Sequence, residues 1–184
     1  IVKKLKKYHE WLIKYRDPKN TGLVSILHPW ESGYDNSPLW DYSMKEVKVE
    51  KNLDYKRGDN KVINPEYRPL DSDYDRYVTI KNHLRKNKYN PKKLYNKSMF
   101  NVVDVGFNSI FLKANKDLSE LLKSFNLEHN KLKKFILKSE NQIEKLYNQK
   151  KGVFTNYDIK NKKKIIVPSI TNYFILLADL KNQT

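Results

Sequence analysis

Apolar residues that recur at the spacing of an α-helix are the feature that most limits the folds open to this chain. Residues 1–16, 73–88 and 128–149 carry them on one side only, with charged residues on the other. Residues 99–124 and 169–180 are instead apolar around most of the circumference. A helix that is apolar all round is covered by neighbours, whereas a one-sided helix keeps a face in water. The alternation therefore predicts an all-α fold in which outer helices cover inner ones.

Two polar residues interrupt the most apolar of these segments. Asp104 and Asn108 are four positions apart and would share one face of a helix over residues 99–124. Because buried polar groups need hydrogen-bond partners, the pair has two possible roles. Either the two side chains bind the ends of other helices, or they line a polar central cavity.

The segments between the predicted helices indicate long loops and one strand pair. Residues 43–70 contain Gly58 and two prolines and have little periodicity, which is typical of a long loop. Residues 154–159 and 164–167 could pair as one short β-hairpin across Lys160-Asn161-Lys162.

The composition describes one ordered domain, or part of one, over the 184 residues. Hydrophobic residues make up 39% and charged residues 32% of the chain, which is too apolar for a disordered segment. The lack of cysteine fits a reducing compartment, and no apolar run or signal peptide directs the chain to a membrane. We therefore expect a cytoplasmic protein without membrane contacts. The first residue is Ile1 and not Met, so we also expect a longer natural chain.

The formal net charge of +16 raises the question of a nucleic-acid partner. Only five of the 37 basic residues are arginine, and the lysines are scattered along every segment among asparagines. No recognition motif is present. We therefore predict no specific nucleic-acid partner, only a nonspecific attraction to polyanions at low salt.

The segment His28–Asp41, HPWESGYDNSPLWD, has a composition that neither a helix nor a strand favours. Asp35 lies close in sequence to Trp30, Tyr34 and Trp40, whose rings could exclude water and favour the protonated carboxyl that a general acid needs. Aromatic faces beside carboxyl and amide groups also suit a sugar, which offers an apolar ring face and a rim of hydroxyls. In the alternative interpretation the tryptophans fill a core and the aspartates cap a helix.

Several motifs in this chain resemble glycoside hydrolase family 63. ESGYDNSPLW is similar to the signature of that family, and especially of its mannosylglycerate and glucosylglycerate hydrolases, where the wording is close to HPWESGMDNSPRWD; trehalases carry a more distant version. VVDVGFNSIFLKANKDL at 102–118 resembles an inner helix of the family, after the SPF-like tripeptide Ser98-Met99-Phe100. Three shorter stretches also resemble the family and occur in its order: RDPKNTGLVSI before the signature, DYDRY at 73–77, and VPSITNYFILLADL near the end.

The resemblance implies part of an (α/α) barrel, a toroid of six helical hairpins, that hydrolyses glycosidic bonds with inversion. It makes Asp35 the general acid, places the substrate contacts at Trp30, Gly33, Tyr34 and Asn36, and leaves Glu31, Trp40 and Asp41 to support the loop. No cofactor or metal is implied. In relatives the turn at 17–22 resembles a calcium loop, but Lys19 and Thr21 stand where oxygen ligands would be needed, so no calcium is predicted.

An inverting glycosidase also needs a carboxylate that activates water on the far side of the sugar. The late family segment that carries this base, with the wording FYEYYDP, and the early segment are missing from residues 1–184. We therefore expect the middle of a barrel, inactive alone and completed by the remaining barrel segments or by a homo-oligomer. Glu31 is a poor candidate for the base, because it is four residues from Asp35 on the same turn.

Three functions remain open at this point. The chain is a segment of a glycoside hydrolase with a carbohydrate substrate, a noncatalytic helical remnant of such an enzyme, or a basic nucleic-acid-binding protein. Binding of a sugar at Trp30 would favour the glycoside hydrolase segment over the noncatalytic remnant. A steep salt dependence with sequence preference would indicate the third.

Overall fold

The computed structural model describes residues 1–180 and is mostly helical. Its α-helices are Val2–Arg16 (α1), Asp41–Lys45 (α2), Asp71–Lys86 (α3), Pro91–Lys97 (α4), Val105–Ser124 (α5) and Asn130–Glu144 (α6). Its short strands are Val102–Val103 (β1), Tyr147–Asn148 (β2), Val153–Phe154 (β3), Asn156–Asp158 (β4) and Lys163–Ile165 (β5). Five 3₁₀ segments complete the described part, at Pro29–Ser32, Pro38–Trp40, Asp59–Lys61, Pro65–Tyr67 and Ile170–Ala178.

Helix α5 lies at the centre of the packing, as its apolar sequence predicts. It contacts α1, α6 and the 3₁₀ helix Ile170–Ala178, and it contributes fully buried side chains such as Leu112 and Leu122. Helices α1 and α6 bury one face against it, through Leu12 on α1 and a larger apolar set on α6. The one-sided patterns of residues 1–16 and 128–149 therefore do mark outer helices.

The start of the central helix differs from the prediction. Residues 99–104 are not helical, because Asp104 is the N-cap and its side chain accepts a hydrogen bond from the backbone N–H of Phe107 at 2.6 Å. Val102 and Val103 before it form β1, and Ile26 bridges to Val102. A short apolar run of β-branched residues is compatible with a buried strand as well as with a buried helix. The sequence pattern therefore did not distinguish the two.

The predicted β-hairpin is confirmed, with shorter strands. Strand β4 pairs antiparallel with β5, with Asn156 opposite Ile165 and Asp158 opposite Lys163. Strand β1 adds to β4 as a third strand. At the turn, the Asp158 carboxylate accepts hydrogen bonds from the Asn161 backbone at 2.8 Å and from the Ser43 hydroxyl at 2.5 Å. This bond attaches the middle of helix α2 to a strand turn that is far away in sequence.

Two further predictions of helix were wrong. Helix α6 ends at Glu144, before residue 149, since Tyr147–Asn148 pairs with Val153–Phe154 as a second small hairpin. Residues 170–178 form a 3₁₀ helix capped by Ser169, and this helix is not covered on all sides. Ile170 is 70% and Tyr173 is 67% exposed. Apolar composition alone did not reveal which side of this segment faces the core.

The long connection between α2 and α3 is irregular, as predicted, and Arg57 holds it in shape. The guanidinium of Arg57 binds Asp59, Asp71 and the carbonyl of Pro69, each at 2.8 Å, and lies over the ring of Tyr74. Asp59 also accepts a bond from Arg68, and these two arginines lower the pKa of its carboxyl well below the ordinary range. The connection is therefore fixed against the start of α3. Among residues 1–180 no helix is long and apolar enough to cross a membrane.

Candidate functional site

The segment His28–Asp41 folds as two short 3₁₀ turns joined at Gly33. His28 and Ser37 cap the turns, and Pro29 and Pro38 follow the caps in the position where a missing N–H costs nothing. Gly33 has φ of 81°, a left-handed conformation that glycine adopts without strain. The sequence therefore specifies a rigid loop, which we call the signature loop.

His28 anchors the beginning of the signature loop as a neutral imidazole. Its Nδ1 accepts the backbone N–H of Trp30 and its Nε2–H donates to the carbonyl of Tyr77, both at 3.0 Å. The residue is 4% exposed, and this burial lowers the pKa of the imidazole below its ordinary value. The two hydrogen bonds fix one tautomer, because the carbonyl can only accept and the amide can only donate.

Glu31 ties the loop to helix α1. One carboxylate oxygen binds Arg16 at 2.6 Å and the other accepts the backbone N–H of Leu27 at 2.9 Å. Both oxygens are thus engaged by the protein itself. These contacts brace the loop and leave Glu31 poorly placed to activate a water.

Tyr34 joins the middle of the loop to the start of α5. Its hydroxyl donates to the Asp104 carboxylate, and its ring stacks on Trp40 with the centroids 5.6 Å apart. Trp40 is 1% exposed, and its indole N–H donates to the Tyr34 carbonyl at 3.0 Å. The hydroxyl of Tyr34, a residue that the resemblance places among the substrate contacts, is therefore directed at Asp104 inside the protein.

Asp104 and Asn108 are both buried and fully occupied by protein groups. Asp104 accepts from Tyr34, from the Phe107 backbone and, at 2.7 Å, from the side-chain amide of Asn156. Its burial raises the pKa of the carboxyl, while these donors act in the opposite direction. Asn108 binds both the N–H and the carbonyl of Val24, at 2.9 and 2.8 Å. Asp104 thus caps its own helix and Asn108 binds the backbone of a residue outside any helix, so within residues 1–180 neither side chain binds the end of another helix.

Asp35 differs from these residues because its carboxylate is left free by the protein. Within residues 1–180 its one hydrogen bond is through the backbone, where its carbonyl accepts the hydroxyl of Tyr77 at 2.8 Å. The side chain is partly exposed, and its charge acts on His28 and on the Tyr77 hydroxyl. A carboxyl that is held by its backbone and open at its side chain can exchange a proton with a ligand.

Asn36 and Asp41 are exposed, and neither side chain makes a hydrogen bond to the described part of the chain. Asn36 is therefore available to a ligand. Asp41 begins α2, where a negative charge favours the first turn of the helix. In the described part of the chain, the Asp41 side chain thus makes no hydrogen bond that would support the loop, whereas the side chains of Glu31 and Trp40 do.

An aromatic surface lies beside Asp35. Trp30 is 41% exposed and packs against Tyr77 and Tyr74, with ring centroids 5.9 and 6.2 Å away, and against His28. An exposed indole face supported from behind by two more rings is suited to an apolar ligand face. Gly33, with no side chain and open space around it, leaves the adjacent backbone accessible.

Sequence reasoning missed three residues that shape this site. Tyr74 and Tyr77 lie on α3, within the motif DYDRY. The sequence did not indicate their role, because only the fold brings α3 beside the signature loop. Gly106 is the third, because a Cβ at this position would lie 2.7 Å from the Tyr34 hydroxyl.

Within residues 1–180, histidine, aspartate and glutamate side chains nowhere cluster in groups of three that could hold a metal ion. In the turn at 17–22 the Asp17 carboxylate accepts the backbone N–H groups of Thr21 and Gly22, both at 2.7 Å. Asp17 thus closes the turn itself.

Comparison with known proteins agrees with the motifs of the loop. The family model for the mannosylglycerate hydrolase MGH1-like glycoside hydrolase domain matches residues 1–184. Mannosylglycerate hydrolase from Thermus thermophilus is 41% identical over 183 residues, which is 100% of this chain and 44% of that protein. Glucosylglycerate hydrolase from Mycolicibacterium hassiacum is 31% identical over 178 residues, covering 95% of this chain and 40% of that protein.

Solved structures agree as well. The GH63 mannosylglycerate hydrolase from Thermus thermophilus in complex with Tris and D-glycerate superposes with a TM-score of 0.95 at 40% identity, over 99% of this chain and 44% of that chain. Its complex with glucose gives a TM-score of 0.89 over 95% and 42% of the two chains. The chain spans less than half the length of these relatives. It belongs to the mannosylglycerate hydrolase MGH1-like glycoside hydrolases, whose Thermus member is placed in glycoside hydrolase family 63.

Proposed function

We propose that this chain is the part of a glycoside hydrolase that carries the general acid, Asp35, and that the enzyme cleaves α-linked sugars such as mannosylglycerate or glucosylglycerate. The observation that carries the proposal is the Asp35 carboxylate, which is free of protein partners within residues 1–180 and lies on a loop that hydrogen bonds at Glu31, Tyr34 and Asp35 tie to the rest of the fold. The Thermus relative holds D-glycerate in one structure and glucose in another, which supports a sugar linked to glycerate as substrate.

Asp35 protonates the oxygen of the leaving glycerate as the glycosidic bond breaks. In an inverting reaction a second carboxylate, about 6.5–9.5 Å away, activates water on the opposite face of the sugar. Glu31 does not take this role, since both of its oxygens are bonded to Arg16 and Leu27. The base therefore comes from the remainder of the enzyme, which together with this chain forms a toroid of helical hairpins.

The substrate contacts divide according to exposure. Trp30 presents its indole face to the sugar, and Asn36 and the Gly33 backbone lie on the open side of the loop. Tyr34, whose hydroxyl binds Asp104, holds the loop and does not bind the sugar with that hydroxyl. The lack of cysteine in residues 1–184 fits a reducing compartment, and we propose the cytoplasm.

Replacing Asp35 tests the proposal. In the full-length protein, Asp35→Asn should lower kcat on mannosylglycerate or glucosylglycerate by about 10²–10⁴-fold, because an amide cannot deliver a proton. The melting temperature should stay within about 2 °C, since the side chain makes no protein hydrogen bond in the described region. Turnover and melting are measured on the same preparations.

Asp41→Asn is the matched comparison, because it removes an exposed carboxylate a few residues away that also makes no hydrogen bond in the described region. It should remain active. If Asp35→Asn turns over normally while folded Asp41→Asn is dead, the acid is Asp41. If the full-length wild type hydrolyses neither glycoside and binds neither, the noncatalytic alternative replaces the proposal.

A further inference from the structure

Tyr77 on α3 contacts the signature loop at two separate points. Its hydroxyl donates to the Asp35 carbonyl at 2.8 Å, and its own carbonyl accepts the Nε2–H of His28 at 3.0 Å. One residue of a regular helix therefore holds both the first residue of the loop and the residue that bears the free carboxylate.

The hydroxyl bond is the sole attachment of Asp35. Within residues 1–180, Asp35 makes no other hydrogen bond through backbone or side chain. Its neighbours have their own attachments, Tyr34 through Asp104 and Trp40. Loss of the Tyr77 hydroxyl would free the Asp35 peptide to rotate without releasing the rest of the loop.

The surroundings keep Tyr77 in the state that this contact needs. The residue is 3% exposed, so little of its side chain is open to water. Burial, followed by the charges of Asp35, Asp73 and Asp41, raises the pKa of the phenol, which remains a donor at any physiological pH. Its ring packs on Trp30 and Tyr74, which restrict its rotation.

We propose that Tyr77 is the positioning residue of this site, setting the Asp35 carboxyl for proton transfer by fixing the backbone beneath it from helix α3. This inference rests on the function proposed above, since it assigns to Tyr77 an effect that acts only through Asp35. A displacement of a catalytic group by about 1 Å is enough to slow an enzyme by one to two orders of magnitude.

A double-mutant cycle on the full-length protein tests the inference, with mannosylglycerate and glucosylglycerate as substrates. Tyr77→Phe keeps the ring and removes the hydroxyl, and it should lower kcat about tenfold while KM changes less than about twofold. In the Asp35→Asn background, Tyr77→Phe should lower kcat less than about twofold. The asparagine amide cannot donate the catalytic proton in any position, so moving it has little further effect.

Tyr55→Phe is the matched control. It removes the hydroxyl that binds Asp75 at 2.6 Å on the neighbouring connection, so it costs a similar hydrogen bond at a different place. It should leave kcat within about twofold of wild type.

Each outcome decides a separate question. An unchanged kcat in Tyr77→Phe, or a full tenfold loss that persists in the Asp35→Asn background, overturns the positioning role while Asp35 remains the acid. Wild-type turnover in Asp35→Asn alone overturns the proposed function itself, and with it this inference.

Discussion

At the scale of single residues, the imidazole of His28 makes stability depend on pH. Burial lowers the pKa of His28 in the folded protein below the unfolded value of about 6.5. The unfolded state therefore binds the proton more readily, so this contribution is complete above about pH 6.5 and is lost as pH falls below it. We expect a lower melting temperature at pH 5.5 than at pH 7.5.

A His28→Asn variant isolates this effect. Asparagine can still cap the first turn but does not titrate, so the difference in melting temperature between the two pH values should shrink. Asp17 and Asp104, whose buried carboxyls have raised pKa values, titrate equally in both proteins and cancel in the comparison. Identical pH dependence in wild type and variant would show that His28 is not the group responsible.

The individual roles in the loop were only partly accessible from sequence. The free carboxylate of Asp35 and the exposed Trp30 agree with the interpretation drawn from the motif, although their roles in catalysis remain proposals. The partner of Tyr34 could not be predicted, because Asp104 is 70 residues away and its side chain was assigned to the middle of a helix. Long-range partners of polar side chains leave no local pattern.

At the scale of elements, Gly106 sets how closely the start of α5 approaches the loop. A Cβ there would lie 2.7 Å from the Tyr34 hydroxyl and 3.1 Å from Thr171. Gly106→Ala should therefore lower the free energy of unfolding by about 1–3 kcal/mol, although alanine is the better helix former. Chemical denaturation of the full-length protein measures the change.

Gly58→Ala provides the comparison for this prediction. A Cβ at Gly58 meets nothing within 4 Å, and the backbone there has an ordinary φ of −95°. Alanine should be neutral or stabilise by about 0.5 kcal/mol through the unfolded state. Equal effects at Gly106 and Gly58 would contradict the close approach between α5 and the loop.

The positions of the long helices were predictable, but the start of α5, the end of α6 and the form of residues 170–178 were not. Helix α3 was placed at 73–88 and lies at Asp71–Lys86, because its periodic apolar residues leave little freedom of register. The beginning of α5 and the form of residues 170–178 were wrong, since uniformly apolar runs fit a strand, an α-helix or a 3₁₀ helix equally well. Only the tertiary neighbours of those runs select among the three.

At the scale of the whole molecule, the charge of +16 governs encounters with polyanions. The lysines are scattered over helices, strands and loops, and the sequence contains no recognition motif. Binding to duplex DNA should therefore be weak, equal for unrelated sequences, and lost between about 50 and 200 mM salt. The reason is that the entropy gained by releasing counterions from DNA falls as the salt concentration rises. Gel shifts on two duplexes measure this. A preference for one sequence that survives at the higher salt would revive a nucleic-acid function.

The bond between Ser43 and Asp158 has a consequence for the protein while it is being made. The two residues are 115 positions apart. At a translation rate of about 5–20 residues per second, the carboxylate leaves the ribosome roughly 6–23 s after the hydroxyl does. The signature loop ends beside Ser43, and Tyr34 within it binds Asp104, so the loop completes its contacts only after residues 104 and 158 have emerged. Until Phe100 emerges, Trp40 lacks one of the rings that bury it in the fold, so its indole is exposed on the nascent chain.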